Sequence, residues 1–340
     1  MCFRKIEKSK VFFFIIKPLL KMQSNPPEQT LDQDPIDIPM IISALKRRAN
    51  YERVFQDAED IHTLCTGIGT NGIMWRACVE AGGLPVFVTM LKRHKTTAHI
   101  CKNAALGLAY MLGSPHPDLL SPNYHDIDAL IAADGINALL DVLDHHFAHT
   151  DICVNTCEAL ALIASLAAQQ CVDSDIIPLL LDLAESKSYE ATLMRHISNL
   201  LYQISKNCAL TDTDYKAILR LTITVLEDFP YNTEICSAAG SALASIVTTN
   251  PAYPAFALEH NARDALLTVQ NSHAHGQVAS LHRALHSIAE KTFEQHPHVL
   301  SAHTNNHHSC DICEASADNF MGCRTCDYDE CMMCFNSKQK

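Results

Sequence analysis

The chain has 340 residues and a formal charge of −12 with histidine neutral. That length suits two domains, or one repeat array with an appendage, and 48% apolar residues can supply a large core. The acidic balance argues against a main role on the nucleic-acid backbone, because there is no net basic footprint.

Residues 1–38 read as a disordered leader. VFFFIIKPLL (11–20) is apolar but short and is interrupted by Lys17-Pro18, whereas a spanning helix needs about 20 apolar residues. A secretory signal would show a longer apolar core and a small-residue cleavage site. Arg4, Lys5, Lys8 and Lys10 leave a targeting or membrane-touching role open; a start at Met22 would leave the polar, Pro-rich MQSNPPEQTLDQDP as the leader.

IPMIISALKRRA and VFQDAEDIHTLCTGI follow with helical spacing. They suit a first, capping repeat that closes the end of an array, with Trp75 packed between it and the next repeat. One apolar word then recurs: EAGGLPVFVTML (80–91), AADGINALLDVL (132–143), DSDIIPLLLDLA (173–184) and EHNARDALLTVQ (259–270), with KAILRLTITVL (216–226) fitting more loosely. The helices that follow these words align independently. Ile100, Ile152, Leu193 and Ile235 share one position; Leu108, Leu160, Leu201 and Leu243 lie eight residues on; Met111, Ile163, Ile204 and Ile246 lie three further. The intervals are 52, 41 and 42 residues. A period near 42 with two or three helices per unit is the signature of a helical solenoid. The long interval reports an insertion of about ten residues, and GSPHPDLLSPNYHD (113–126) holds it as a Pro-rich loop. Repeats are expected at 79–112, 132–167, 173–206, 215–249 and 255–292.

Two sets of residues inside this array invite a chemical reading. His145, His146 and His149 share the turn at 144–151, where a solvated turn is favoured over a metal site. Cys2, Cys65, Cys78, Cys101, Cys153, Cys157, Cys171, Cys208 and Cys236 are scattered. Most fall in apolar helical words and read as small hydrophobes of a reducing compartment, including the Cys153–Cys157 pair four residues apart.

The period and the Gly82-Gly83-Leu84-Pro85 and Asp134-Gly135-Ile136 words resemble the armadillo/HEAT families, the armadillo branch more closely. The resemblance covers residues 39–292. It implies an all-α, right-handed superhelical solenoid of about six degenerate repeats whose third helices line a protein-binding groove. Many armadillo proteins carry a Leu-x-Asn-Ile word there and hold a peptide backbone with the Asn. The matching positions here are Tyr110, Leu162, Gln203 and Ser245. Asn199 belongs to a look-alike word in another register. Peptide gripping of that kind is therefore in doubt, and a protein-interaction surface for an unknown partner survives.

From residue 293 the composition changes. Cys310-x2-Cys313, Cys323-x2-Cys326 and Cys331-x2-Cys334 are three pairs within 25 residues. A two-residue gap lets both sulfurs of a pair reach one tetrahedral zinc at roughly 2.3 Å each. So small a module, poor in large apolar residues, needs a metal to fold, and an all-protein ligand set leaves no position for a catalytic water. The spacing resembles divergent diacylglycerol-type (C1-like) cysteine/histidine-rich fingers, with ZZ-type fingers second. That resemblance implies two structural zinc ions, one held by Cys310, Cys313, Cys331 and Cys334, the other by Cys323, Cys326, His296 and His298. His303, His307 or His308 could replace the upstream histidines. Lipid binding is disfavoured by Glu314 and Asp318 in the 314–321 loop.

No phosphate loop, nucleophile motif or paired acids appear. The expected function is a non-catalytic scaffold or adaptor, cytoplasmic with the nucleus open, its solenoid binding a protein partner and its finger a second docking module. A ubiquitin-pathway component and a membrane-associated regulator are the alternatives; no nucleic-acid partner is expected.

Overall fold

The computed structural model describes residues 36–48, 54–70, 74–113, 124–250, 252–273, 301–304, 319–323 and 328–331. It falls into two compact units, Met1–Ile176 and Ile177–Lys340. In the first are α1 (Ile38–Arg48), α2 (Val54–Thr70), α3 (Met74–Glu80), α4 (Gly83–Arg93), α5 (Ala98–Gly113), α6 (Tyr124–Ala132), α7 (Gly135–His145) and α8 (Thr150–Asp173). In the second are α9 (Ile176–Ser186, entering from the boundary), α10 (Ala191–Asn207), α11 (Asp212–Asp228), α12 (Thr233–Val247), α13 (Ala252–Glu259) and α14 (Ala262–Ser272). Three short strands close it: β1 (Ser301–Thr304), β2 (Asn319–Cys323) and β3 (Tyr328–Cys331). The 1–38 leader lies outside the described residues except for its last three.

Where a repeat has a short first helix, a backbone device marks the entry into its second helix. Gly82, Asp134, Asp175 and Asn261 all have φ between 58° and 78°. They stand one residue before α4, α7, α9 and α14. Gly, Asp and Asn are the residues that adopt the left-handed conformation most readily. At two of these turns the next residue is a glycine with no room for a side chain. A Cβ on Gly83 would lie 2.7 Å from the Cys78 carbonyl oxygen, and one on Gly135 3.0 Å from that of Leu130. The loosely fitting 216–226 word has its reason here. α11 is one helix of 17 residues, N-capped by Thr211, whose hydroxyl accepts from the Asp214 amide. The short first helix and its left-handed turn are missing.

The third helices carry the periodic anchors. Ile100, Ile152, Leu193, Ile235 and the residues eight and eleven positions on are all buried. α8 is 24 residues long and apolar enough in composition to cross a membrane, but 67% of that stretch is buried in the fold. Ala167, at φ −132°, ψ 42°, breaks it into a third helix and the short first helix of the next repeat. It is therefore two core helices end to end.

The first repeat hides its anchor from the sequence pattern. Asp57 of α2, with Cys65 and Ile68 eight and eleven residues on, stands at the position of Ile100 and is fully buried. Its carboxylate accepts from Arg48 Nε at 3.0 Å and His94 Nε2 at 3.0 Å, and Arg93 Nη1 lies 3.7 Å away. Arg48 also binds Asp60. A charge is buried here because it is paired on every side.

β1, β2 and β3 form an antiparallel sheet in that order. His303 pairs with Phe320, Phe320 with Cys331, and Cys323 with Tyr328.

Candidate functional site

Within each unit the third helices lie side by side and repeat the same polar rows between their buried anchors. In the first unit these are α5 and α8. Lys102 Nζ pairs with Asp151 at 2.6 Å, and the Asn155 amide donates to the Lys102 carbonyl at 3.2 Å. Asn103 donates to His99 Nε2 at 3.2 Å. Leu106 and Glu158 share the next row, both half-buried. Tyr110 and Leu162 follow. Burial, then the Glu158 carboxylate, push the Tyr110 phenol up, so the two third helices interact across this row.

In the second unit these are α10 and α12. Arg195 pairs with Glu234 at 3.6 Å and donates to His196 Nε2 at 2.8 Å. Burial, reinforced by that guanidinium, pushes His196 down to about 3, so the ring is neutral. Asn199 and Ser241 form the next row, half-buried. Ser205 and Ser245 share a hydrogen bond of 2.7 Å, and Asn207 donates to the Gln203 carbonyl at 2.8 Å. Lys206 Nζ stands 5.3 Å from the centre of the Tyr202 ring.

The four positions read against the asparagine ladder therefore do not form one. Gln203 and Leu162 are buried, and Tyr110 and Ser245 half-buried. The polar row lies earlier, three residues after the first anchor, at Asn103, Asn155 and His196. The 52- and 41-residue intervals align these residues in the sequence, outside the Leu-x-Asn-Ile register.

His146 needs a correction. It is not part of a solvated turn: it is buried, and its Nε2–H donates to the Lys95 carbonyl of the preceding repeat at 2.7 Å. His145 and His149 are exposed. His273, three repeats' worth of chain further, does the same to the Pro230 carbonyl at 2.8 Å. The thiols have a second role beside packing. Cys101, Cys153 and Cys236 occupy one repeat position, and each donates to the carbonyl at the end of the preceding helix, of His94, His146 and Phe229. Burial pushes Cys78 and Cys101 up to about 12 and Cys236 to about 11, and Cys157 is pushed up likewise. These sulfurs are held as thiols, the form least suited to nucleophilic attack.

Among the described residues no group of three His, Cys, Asp or Glu side chains is placed to hold a metal ion. His296, His298, Cys310, Cys313, Cys326 and Cys334 lie outside the described residues; Cys323 and Cys331 are placed by backbone alone, on β2 and β3.

No protein-family model matches the chain, and no curated protein matches it. Solved structures do. An engineered protein superposes with a TM-score of 0.60 at 21% identity, covering 75% of this chain and 97% of that one. A designed armadillo repeat protein gives 0.60 at 18%, covering 74% and 100%. The helices have the armadillo-repeat fold. A further designed armadillo repeat protein, in complex with the peptide (KR)4, matches at 0.58 and 18%, covering 74% of this chain and 99% of that one.

Proposed function

We propose that this protein is a non-catalytic scaffold whose third-helix face holds an extended segment of a partner protein. The observation that carries the reading is the ion pair repeated across the third helices, Lys102–Asp151 and Arg195–Glu234, with half-buried Asn155, Glu158, Asn199 and Ser241 following it. Asn199 is the sharpest case: half-buried, at the same repeat position as the half-buried Ser241. An amide so placed is suited to a peptide backbone, which offers a donor and an acceptor at every residue. The (KR)4 complex of a designed protein with this fold supports the same use. The rows here mix Arg195, Lys206, Glu158 and Glu234, so the segment is expected to differ from that peptide in charge. A binding role rather than catalysis agrees with buried thiols and a neutral, buried His196.

The C-terminal module belongs to the proposal as a second docking element built on two structural zinc ions. Its ligands are those the cysteine spacing and the finger resemblance imply: Cys310, Cys313, Cys331 and Cys334 for one ion, and Cys323, Cys326, His296 and His298 for the other. A reducing, cytoplasmic location is proposed with it.

The test is affinity purification with mass spectrometry on three baits: the full chain, a chain ending at Glu294, and the full chain with Asn199→Arg and Ser241→Arg. Partners retained by the truncation and lost by the double substitution are expected. Partners kept by the double substitution and lost with the finger overturn the third-helix reading.

A further inference from the structure

Among the described residues, two of the three large apolar side chains left exposed are Tyr189 and Tyr231, at 72% and 80%. They occupy one repeat position. Each is the third residue of a turn closed by a backbone hydrogen bond, Glu190 N to Lys187 O at 3.0 Å and Asn232 N to Phe229 O at 3.1 Å. The same turn in the first unit has Thr96 and Ala148 at this position, so the aromatic pair is not a requirement of the repeat.

We propose that Tyr189 and Tyr231 dock a basic, proline-rich segment of a partner protein, held as a polyproline II helix. The spacing is one argument. Each tyrosine precedes the start of a third helix by two residues, at Ala191 and Thr233. Those helices are tied side by side by the Arg195–Glu234 pair at 3.6 Å and the Ser205–Ser245 hydrogen bond at 2.7 Å. Packed helices stand about 8–10 Å apart, and one turn of polyproline II, three residues of 3.1 Å, advances about 9.3 Å. Prolines three residues apart are thus spaced to match the two turns that carry the rings. The turn hydrogen bonds fix the backbone under each ring beforehand, which limits the ordering entropy that binding must overcome.

Charge complementarity selects the flanks. Segments 185–190 and 227–232 carry the carboxylates of Glu185, Glu190, Glu227 and Asp228 against one cation, Lys187. Glu185, Glu227 and Asp228 are exposed. An arginine-flanked peptide gains from this field and an acidic one is repelled. The dock is separate from the third-helix rows and does not depend on the function proposed for them.

The experiment is fluorescence anisotropy of the full-length protein with a labelled synthetic peptide. The peptide has three prolines at three-residue intervals, flanked by arginines. Control peptides replace the prolines by alanine or the arginines by glutamate. Saturable binding is expected, weakened about tenfold or more by Tyr189→Ala with Tyr231→Ala, retained by Tyr189→Phe with Tyr231→Phe, and unaffected by Asn199→Arg with Ser241→Arg. Both rings are exposed, so these variants fold. Equal binding of the alanine peptide, an unchanged double-alanine variant, loss only with Asn199→Arg and Ser241→Arg, or no saturable binding at all overturns the proposal.

Discussion

Asp57 stands where every other aligned repeat has Ile or Leu, and the repeat pattern alone recommends Asp57→Ile as a stabilising change. The geometry recommends the opposite. The carboxylate is fully buried and receives Arg48 Nε and His94 Nε2, both at 3.0 Å, with Arg93 Nη1 at 3.7 Å. Removing one partner from a buried charged cluster costs about 3–5 kcal/mol. Burying the isoleucine side chain returns about 1.5–3 kcal/mol. Arg48 keeps Asp60 and is partly exposed, which places the loss at the lower end. The net expectation is a destabilisation of about 1 kcal/mol, or roughly 2–4 °C in Tm for a unit of this size. Thermal and urea unfolding followed by far-UV circular dichroism measure it. Adding Arg48→Met to Asp57→Ile should recover part of the loss, since the stranded guanidinium is gone, and the double-mutant cycle reports that coupling. A Tm that rises for Asp57→Ile alone would refute the reasoning and return this position to the apolar pattern.

Three more outcomes are expected. Gly107→Ala should destabilise by about 1–2 kcal/mol despite the better helix propensity of Ala: the added Cβ would overlap Phe87 Cε1 and lie 2.9 Å from Cys65 Sγ; unchanged or raised stability on urea unfolding would show that α5 can shift. His196 has a folded value near 3 against its usual 6.5, so the unfolded chain alone takes up a proton as pH falls below 6.5. Stability is therefore lost with falling pH across that window, by about 2 kcal/mol between pH 6.5 and 5. His196→Gln should lack this component, and equal pH slopes for the two proteins would exclude it. Elemental analysis of the purified full chain should find two zinc ions. Cys323→Ser and Cys331→Ser should each lose one; one ion in the unaltered chain removes the His296/His298 site, and none removes the finger.

Much of the helical fold was legible because burial repeats. Ile100, Ile152, Leu193 and Ile235 recur at intervals that only a stacked array needs, and all are buried. The left-handed turns were half legible: Gly82 and Asp134 announce themselves beside a glycine, whereas Asp175 and Asn261 look like ordinary polar loop residues until φ is known. Asp57 was illegible, because a charge at an apolar position hides the anchor it replaces, and its partners Arg48, Arg93 and His94 come from other helices. His146 misled for a related reason. Its polarity suggested solvent, and the carbonyl that accepts its proton belongs to the backbone of Lys95, which has no signature in any sequence.

That last tie has a consequence for how such a chain changes over time. Neighbouring repeats are joined by His146 to Lys95, Asn155 to Lys102, Lys46 to Ala81, Lys92 to Ala133 and His273 to Pro230, and in each the acceptor is a main-chain oxygen. A main-chain oxygen is present whatever residue stands there. Only one side of each joint is written in side chains, so the other side is at liberty to drift without a matching substitution. Neighbours joined in this way can lose all likeness to one another, and to their relatives, while the stack keeps its form.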